Sequence, residues 1–308
     1  MTIQQLEYIV ALDTYKHFVT AAEHCFVTQP TLTIQVKKLE DEIGVKLFDR
    51  KQTPLKTTKI GLEIISKSRN ILAEVANLKQ MVGHEKDQIT GRFKIGVIPT
   101  VAPYLVPLFV SQFSIKYPET ILEISELKSE DIISKLQKGS LDIGILVTPL
   151  VEADITETPL YYEPFVFYGS KNHPLLKHKI IEQKDLKKEK DLWLLDKGNC
   201  FRNQVLNLCL SEKQKKDKSI YFDSTSIESV KRMVSYFKGF TLIPELCISE
   251  SDVNYRPLSV PIPVREVSII SHNTFVKEGL IDAIRKEILD IIPSSYKKND
   301  RFYRVQWR

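Results

Sequence analysis

Two cysteines, Cys200 and Cys209, stand nine residues apart in the segment LLDKGNCFRNQVLNLCLSE. No C-x-x-C pair and no Cys/His cluster with zinc spacing surrounds them, and His173 and His178 are isolated, so no metal is expected. Thiol oxidation is the chemistry that remains. Lys197 and Arg202 are cationic neighbours, Gly198 and Asn199 suggest access to solvent, and a helix starting at Cys200 would favour its thiolate. Val205, Leu208 and Cys209 share a helical face, which puts Cys209 among apolar groups. If one helix joins the two cysteines, their Cα atoms lie roughly 13 Å apart, whereas a disulfide needs about 4.4 to 6.8 Å. Closing the bond would then require local unwinding, turning a chemical event into a change of shape. Spacing alone favours two unrelated core cysteines.

The chain that must position these thiols has 308 residues, room for two or three domains. Apolar residues at 43% and charged residues at 27% describe an ordinary globular protein. No apolar run is long enough for a membrane span, and the first residues lack a secretory pattern, so a cytoplasmic address is expected. In that reducing compartment four cysteines are not a structural disulfide framework. Cys25 and Cys247 read as buried structural residues.

From about residue 91 short apolar strands alternate with helices. Strands are expected at 93–98, 142–147, 165–168, 192–195, 240–243 and 267–270, and helices at 104–117 and 129–137, which predicts α/β layers. Ile98-Pro99-Thr100 ends a strand before a helix, where a hydroxyl and free N–H groups either receive a small polar ligand or simply cap the helix.

The N-terminal residues read as three helices. Leu6, Ile9, Val10 and Leu12 give the first, ending near Tyr15, and Phe18, Ala21, Ala22 and Cys25 give a short second one with little bulk. Thr28 and Pro30 suit the start of a third, whose stripe is Leu32, Val36, Leu39 and Ile43 and which Gly44 stops. Thr31, Thr33, Gln35, Lys37 and Lys38 lie on its other faces. Residues 31–60 carry seven Lys/Arg against four Asp/Glu, within a net charge of +5. A helix-turn-helix needs this pattern, with Gln and Thr for base edges and Lys37, Arg50 and Lys56 for phosphates. A helical hairpin with a solvated face has it too. Residues 58–83 read as one long helix with Ile64, Ile71, Val75, Leu78 and Val82 in a stripe suited to dimerisation.

The segment FVTAAEHCFVTQPTLTIQVKKLEDEIGVKLFDR, with Thr57-Thr58-x-x-Gly61 after it, resembles the N-terminal signature of LysR-type transcription regulators. The resemblance implies a winged helix-turn-helix in residues 1–58, with Gln29, Pro30, Thr31, Thr33 and Gln35 toward bases, Lys37 on the backbone, and Arg50 to Lys56 as a wing. It implies a dimerisation linker helix at 59–90 and an effector domain at 91–295. That domain would be periplasmic-binding-protein-like, with two α/β subdomains, one at 91–163 plus 267–295 and the other between. Gly198-x-Cys200-x-Arg202-x-Gln204 with Cys209, Ile98-Pro99-Thr100-Val101-x-Pro103, Thr225-Ser226-x-Glu228 and Arg265 resemble the peroxide-sensing members of the family. By that likeness Cys200 is the peroxidatic thiol and Cys209 the resolving one. Thr100, Ser129 and Arg265 would place peroxide or stabilise charge, with Asn199 and Arg202 flanking. Asn199 stands where those members have His, and Asn203 where they have an acidic residue.

The implied partners are promoter DNA, RNA polymerase, a second copy in a homodimer or homotetramer, and a thiol reductant such as glutaredoxin or thioredoxin. No cofactor, membrane or enzymatic activity is implied. A LysR-type regulator taking a small anionic metabolite on Arg265 and Thr100 is the near alternative, and a thiol peroxidase the remote one. The final KKNDRFYRVQWR, five Lys/Arg against one Asp, reads as a basic, mobile, solvated end spanning 296–308, with contact to DNA or a neighbouring subunit as the other reading.

Overall fold

The computed structural model describes all residues except 53, 82–88, 190, 210–221, 276, 298–299 and 308. The chain parts into an N-terminal unit running to Gln88 and a larger unit that begins at Ile89.

In the N-terminal unit, α1 (Ile3–Tyr15) opens with a capping box: the Gln5 N–H donates to Thr2 Oγ1 at 3.2 Å, and the Thr2 N–H to Gln5 Oε1 at 2.9 Å. In α2 (Phe18–His24), Ala21 and Ala22 are buried, the close approach their small size allows. The third helix, α3 (Gln29–Ile43), carries Pro30 in its first turn and ends at Gly44 with φ +73°. Thr28 occupies the N-cap, but its hydroxyl meets that of Thr31 at 2.8 Å instead of a backbone N–H. Leu32, Val36 and Leu39 close the core against Leu6, Ile9 and Leu12.

The wing is β1 (Phe48–Asp49) paired antiparallel with β2 (Lys56–Thr57). One buried carboxylate sets it. Glu40 Oε1 accepts the N–H groups of Leu47 at 2.8 Å and Phe48 at 3.3 Å, and its Oε2 accepts from Arg50 at 3.0 Å. The long helix α4 (Lys59–Met81) follows. A Cβ on its Gly61 would sit 2.3 Å from the Leu47 carbonyl oxygen, so only glycine lets it lie this near the turn. Along the expected stripe Ile64 and Val75 are half-buried, Ile71 and Leu78 remain 41% and 65% exposed, and Val82 lies outside the described residues.

The larger unit alternates β3 (Gly91–Val97), α5 (Ala102–Lys116), β4 (Thr120–Glu126), α6 (Ser129–Gln137) and β5 (Ile143–Thr148). The strand β6 (Ile155–Gly169) leaves this lobe, and α7 (Gln183–Leu186), α8 (Cys200–Cys209), α9 (Ile227–Tyr236), β7 (Phe240–Pro244) and β8 (Tyr255–Pro257) build a second one. Strand β9 (Ile262–His272) returns, followed by α10 (Glu278–Ile291) and β10 (Phe302–Arg304). Among the described residues the strands form a mixed eight-stranded sheet of order β4-β3-β5-β9-β6-β7, with β10 on β9 and β8 on β6. β6 and β9 run antiparallel from Ile155↔His272 to Pro164↔Val264, tying the two lobes together. No described helix is long and apolar enough to cross a membrane.

Three sequence expectations are corrected. Leu192 forms an isolated bridge to Phe240 outside the named strands, so 192–195 is no strand; Leu192 and Leu195 are buried and Trp193 and Leu194 half-buried. β4 and the first ten residues of β6 are strands the apolar pattern did not reveal. The C-terminal end is ordered: β10 pairs in parallel with β9, and Val305 and Trp307 are buried.

Replacing Glu40 by Ala strands two buried N–H groups and the Arg50 guanidinium, and is expected to cost the N-terminal unit about 3 kcal/mol. Urea unfolding followed by circular dichroism measures it; an unchanged first transition would show that the wing does not depend on this carboxylate.

Candidate functional site

Helix α8 begins at Cys200 because the residues before it turn the chain and cap it. Gly198 takes φ +86°, a left-handed conformation that glycine adopts freely, and Asn199 Oδ1 accepts the Phe201 N–H at 3.0 Å as an N-cap. Arg202 Nη1 donates back to the Leu195 carbonyl at 2.5 Å, pinning the approach to the helix. Cys200 is thereby carried into the interior at 3% exposure. Burial pushes its thiol above the ordinary cysteine value, opposed first by a hydrogen bond with Ser129 and then by the charge of Arg265.

Arg265 is 1% exposed and sits in β9 directly opposite Glu163 in β6. Its Nε donates to Glu163 Oε2 at 2.8 Å, Nη1 to Thr100 Oγ1 at 3.0 Å and Nη2 to the Thr100 carbonyl at 3.0 Å. Glu163 Oε1 accepts the Leu246 N–H at 3.0 Å. Burial raises the Glu163 carboxyl above its usual value and the adjacent guanidinium opposes that rise. Arg265 also lies 5.6 Å from the centre of the Phe201 ring, beside Cys200.

The structure therefore brings Ser129 and Arg265 to the Cys200 thiol, with Thr100 holding Arg265. The flanking positions act otherwise. Arg202 is a loop anchor, Lys197 is exposed, and Asn199 is a buried cap where solvent access was expected. At the other end of α8, Cys209 packs with Val205, Leu208, Val230 and Val305, and burial alone pushes its thiol up to about 12. Ten residues of continuous helix hold the two thiols apart, and the described cysteines are all free. Across the lobes, Lys128 pairs with Asp196 at 2.6 Å.

Sequence reasoning missed Glu163, whose only signal was a lone carboxylate in the apolar run YYEPFVFYG. It placed Gln204 within the motif around Cys200 but gave it no role; the residue is fully buried on α8, and its Oε1 has no hydrogen-bond partner among the described residues. Cys247 is buried as expected, whereas Cys25 is only half-buried. No described group of three His, Cys, Asp or Glu residues is placed to hold a metal.

In the N-terminal unit Gln29, Pro30, Thr31 and Lys37 are exposed on α3. Gln29 Nε2 donates to Thr33 Oγ1 at 3.3 Å, and Gln35 is half-buried against Gln5 at 3.2 Å. Lys56 is exposed on β2, whereas Arg50 is spent partly on Glu40 and stacks over Phe18 at 5.6 Å. The spacing of small alanines, polar α3 face and two-stranded wing is a winged helix-turn-helix.

Residues 3–62 match the model of bacterial regulatory helix-turn-helix proteins of the lysR family, and residues 86–289 match the LysR substrate binding domain. The chain belongs to the LysR family. It is 36% identical to a hydrogen peroxide-inducible genes activator of Haemophilus influenzae, over 88% of this chain and 90% of that one. It is 34% identical to the DNA-binding transcriptional dual regulator OxyR of Escherichia coli K12, over 88% and 89% of the two chains. Full-length OxyR of Pseudomonas aeruginosa, with one cysteine changed to aspartate, matches with a TM-score of 0.80 at 33% identity, over 94% of this chain and 98% of that one. The LysR architecture, helix-turn-helix plus two-lobed α/β domain, is thus confirmed from sequence and fold together.

Because burial raises the Cys200 thiol, its reactive thiolate fraction keeps growing through neutral pH. Its rate of reaction with peroxide is expected to climb about tenfold per unit from about pH 6 to about pH 9. Stopped-flow oxidation of the Cys209→Ser protein reads this directly, and a plateau below about pH 7 would contradict it.

Proposed function

We propose that this LysR-family regulator senses hydrogen peroxide through Cys200 and Cys209 and passes the signal to promoter DNA. The observation that carries the reading is the setting of Cys200: a buried thiol hydrogen-bonded to Ser129 and facing a guanidinium that Thr100 and Glu163 hold in place. Relatives and neighbours bearing hydrogen-peroxide and OxyR names support it. The Cys200 thiolate attacks one peroxide oxygen, the O–O bond breaks, and the departing hydroxide takes a proton to leave as water. Ser129, Thr100 and Arg265 orient the peroxide and stabilise the negative charge. The Cys209 thiol then attacks the sulfenic sulfur, the S–O bond breaks, and a second water leaves with the Cys209 proton. The disulfide cannot span an intact α8, so the helix unwinds and the effector domain changes shape.

On the DNA side Gln29, Pro30, Thr31, Thr33 and Gln35 meet base edges, and Lys37, Arg50 and Lys56 hold phosphates. The exposed Ile71 and Leu78 of the linker helix suit pairing with a second copy, so a dimer or tetramer spans two half-sites. Domain boundaries at 58 and 90 follow from this assignment, while the end expected to separate at 295 packs with the effector domain through β10. RNA polymerase receives the signal, a cytoplasmic glutaredoxin or thioredoxin resets it, and the chemistry serves signalling instead of enzymatic turnover. The alternative of an anionic metabolite on Arg265 is disfavoured by geometry, since that side chain is 1% exposed and its three nitrogens already donate to Glu163 and Thr100.

Peptide mapping after brief peroxide exposure is expected to show a 200–209 disulfide and an altered promoter footprint. In Cys200→Ser both are lost while DNA binding persists. A footprint that ignores the bond, or a ligand-dependent melting shift surviving Cys200→Ser, would defeat the proposal. Lys37→Ala is expected to lower the salt dependence of DNA binding by about one counterion without changing sequence preference; fluorescence anisotropy titrations at several salt concentrations test this.

A further inference from the structure

The C-terminal residues grip the redox helix. Strand β10 adds to β9 with Phe302↔Ile262, Tyr303↔Pro263 and Arg304↔Val264, and the Val305 N–H continues the ladder to the Val264 carbonyl at 2.9 Å. Arg304 Nη1 lies 3.0 Å from both carboxylate oxygens of Glu266, the residue next to Arg265. Beyond this anchor three consecutive carbonyls face α8 and accept from three of its side-chain amides. Gln204 Nε2 donates to Val305 O at 2.7 Å, Asn207 Nδ2 to Gln306 O at 2.8 Å, and Asn203 Nδ2 to Trp307 O at 3.1 Å. The Val305 side chain enters the apolar cluster that holds Cys209, and Trp307 is 7% exposed.

These contacts require α8 to be wound. Asn203, Gln204 and Asn207 meet successive carbonyls because one helical turn brings positions four apart onto neighbouring faces. A helix that unwinds between Cys200 and Cys209 disperses the three amides and opens the pocket around Val305. We propose that residues 302–307 are a strap, anchored on β9, that keeps α8 wound in the reduced protein and must release it before the disulfide closes. This rests on the peroxide-sensing reading of Cys200 and Cys209. The strap acts on the second chemical step, attack of Cys209 on the Cys200 sulfenic acid with loss of water. It leaves the first step, in which hydrogen peroxide oxidises Cys200, unchanged, since its contacts lie on α8 beyond the thiol.

The test uses full-length protein, a single addition of hydrogen peroxide, and timed quenching with a sulfenic-acid trap, so that mass spectrometry resolves sulfenate from disulfide. In Asn203→Ala/Asn207→Ala, sulfenate formation is expected to keep its rate while disulfide closure accelerates about tenfold, the effect of two lost hydrogen bonds. Equal closure rates in the folded variant and the unsubstituted protein would overturn the strap alone. So would a parallel change in both steps. Failure of the unsubstituted protein to form the 200–209 bond at all would overturn both the strap and the reading beneath it. A second measurement needs no change on α8. The sequence has two tryptophans, so Trp193→Phe leaves Trp307 as the sole indole. Its fluorescence is expected to shift to the red and become accessible to acrylamide on oxidation, whereas a buried Trp307 in the disulfide form would overturn the proposal.

Discussion

A guanidinium held out of water is the constraint around which the larger unit is arranged. Removing such an ion from solvent costs several kcal/mol, and only close, well-aligned partners offset the cost. Arg265 finds them in three separate places: Glu163 across the β6–β9 pair, Thr100 beyond the end of β3, and, through Glu163, the Leu246 N–H after β7. The register of the sheet is therefore pinned at its centre. A one-residue slip of β9 against β6 would turn Arg265 to the opposite face and leave Glu163 charged and alone in the core. The same pair meets where the two lobes meet, so the ion pair that fixes the sheet also fixes the surroundings of Cys200.

That arrangement separates the roles of the two thiols by environment. Cys200 has a hydroxyl and a cation beside it, which work against burial to stabilise negative charge. Cys209 has neither, and its thiol is held protonated by apolar neighbours. On the proposed reading oxidation begins at Cys200 for this reason, and Cys209 acts as a nucleophile once it leaves its pocket. The asymmetry follows from which end of one helix each cysteine occupies.

Much of this was legible in the sequence. The periods of three and four in α1 to α4, the stop at Gly44 and the small pair Ala21-Ala22 follow from local physics, and the structure keeps them. Thr100, Cys200 and Arg265 were assigned to one site because each matched a family motif, and Ser129 because it keeps the hydroxyl of the Thr usual there, although 165 residues separate Thr100 from Arg265. What could not be read depended on partners distant in the chain. Pro159 and Pro164 argue against a strand, yet β6 runs through both with a register shift after Pro159. Cations next to Cys200 in sequence suggested its electrostatics, but a helix start turns Arg202 back to Leu195, and the charge comes from β9. A basic composition suggested a loose end, while the alternate Phe302, Val305 and Trp307 found a strand edge and a pocket.

On the proposed reading α8 is the element that breaks, and its physical make-up suits that role. An isolated helix of ten residues is marginal in water, so α8 stays wound by its tertiary contacts and not by its own hydrogen bonds. Those contacts divide into two kinds. Phe201, Val205 and Leu208 bury apolar surface against Phe165, Leu195 and Val230, an attraction with little direction that tolerates partial rearrangement. Asn199, Arg202, Asn203, Gln204 and Asn207 make hydrogen bonds that hold only for one backbone path. Hydrogen bonds of the second kind net only about 1 kcal/mol each, whereas a covalent S–S bond, once chemically committed, is not lost to such competition. On the proposed reading the polar side of α8 is dismantled and Cys209 leaves the apolar cluster, while Phe165, Leu195 and Val230 remain packed and confine the rearrangement to one segment.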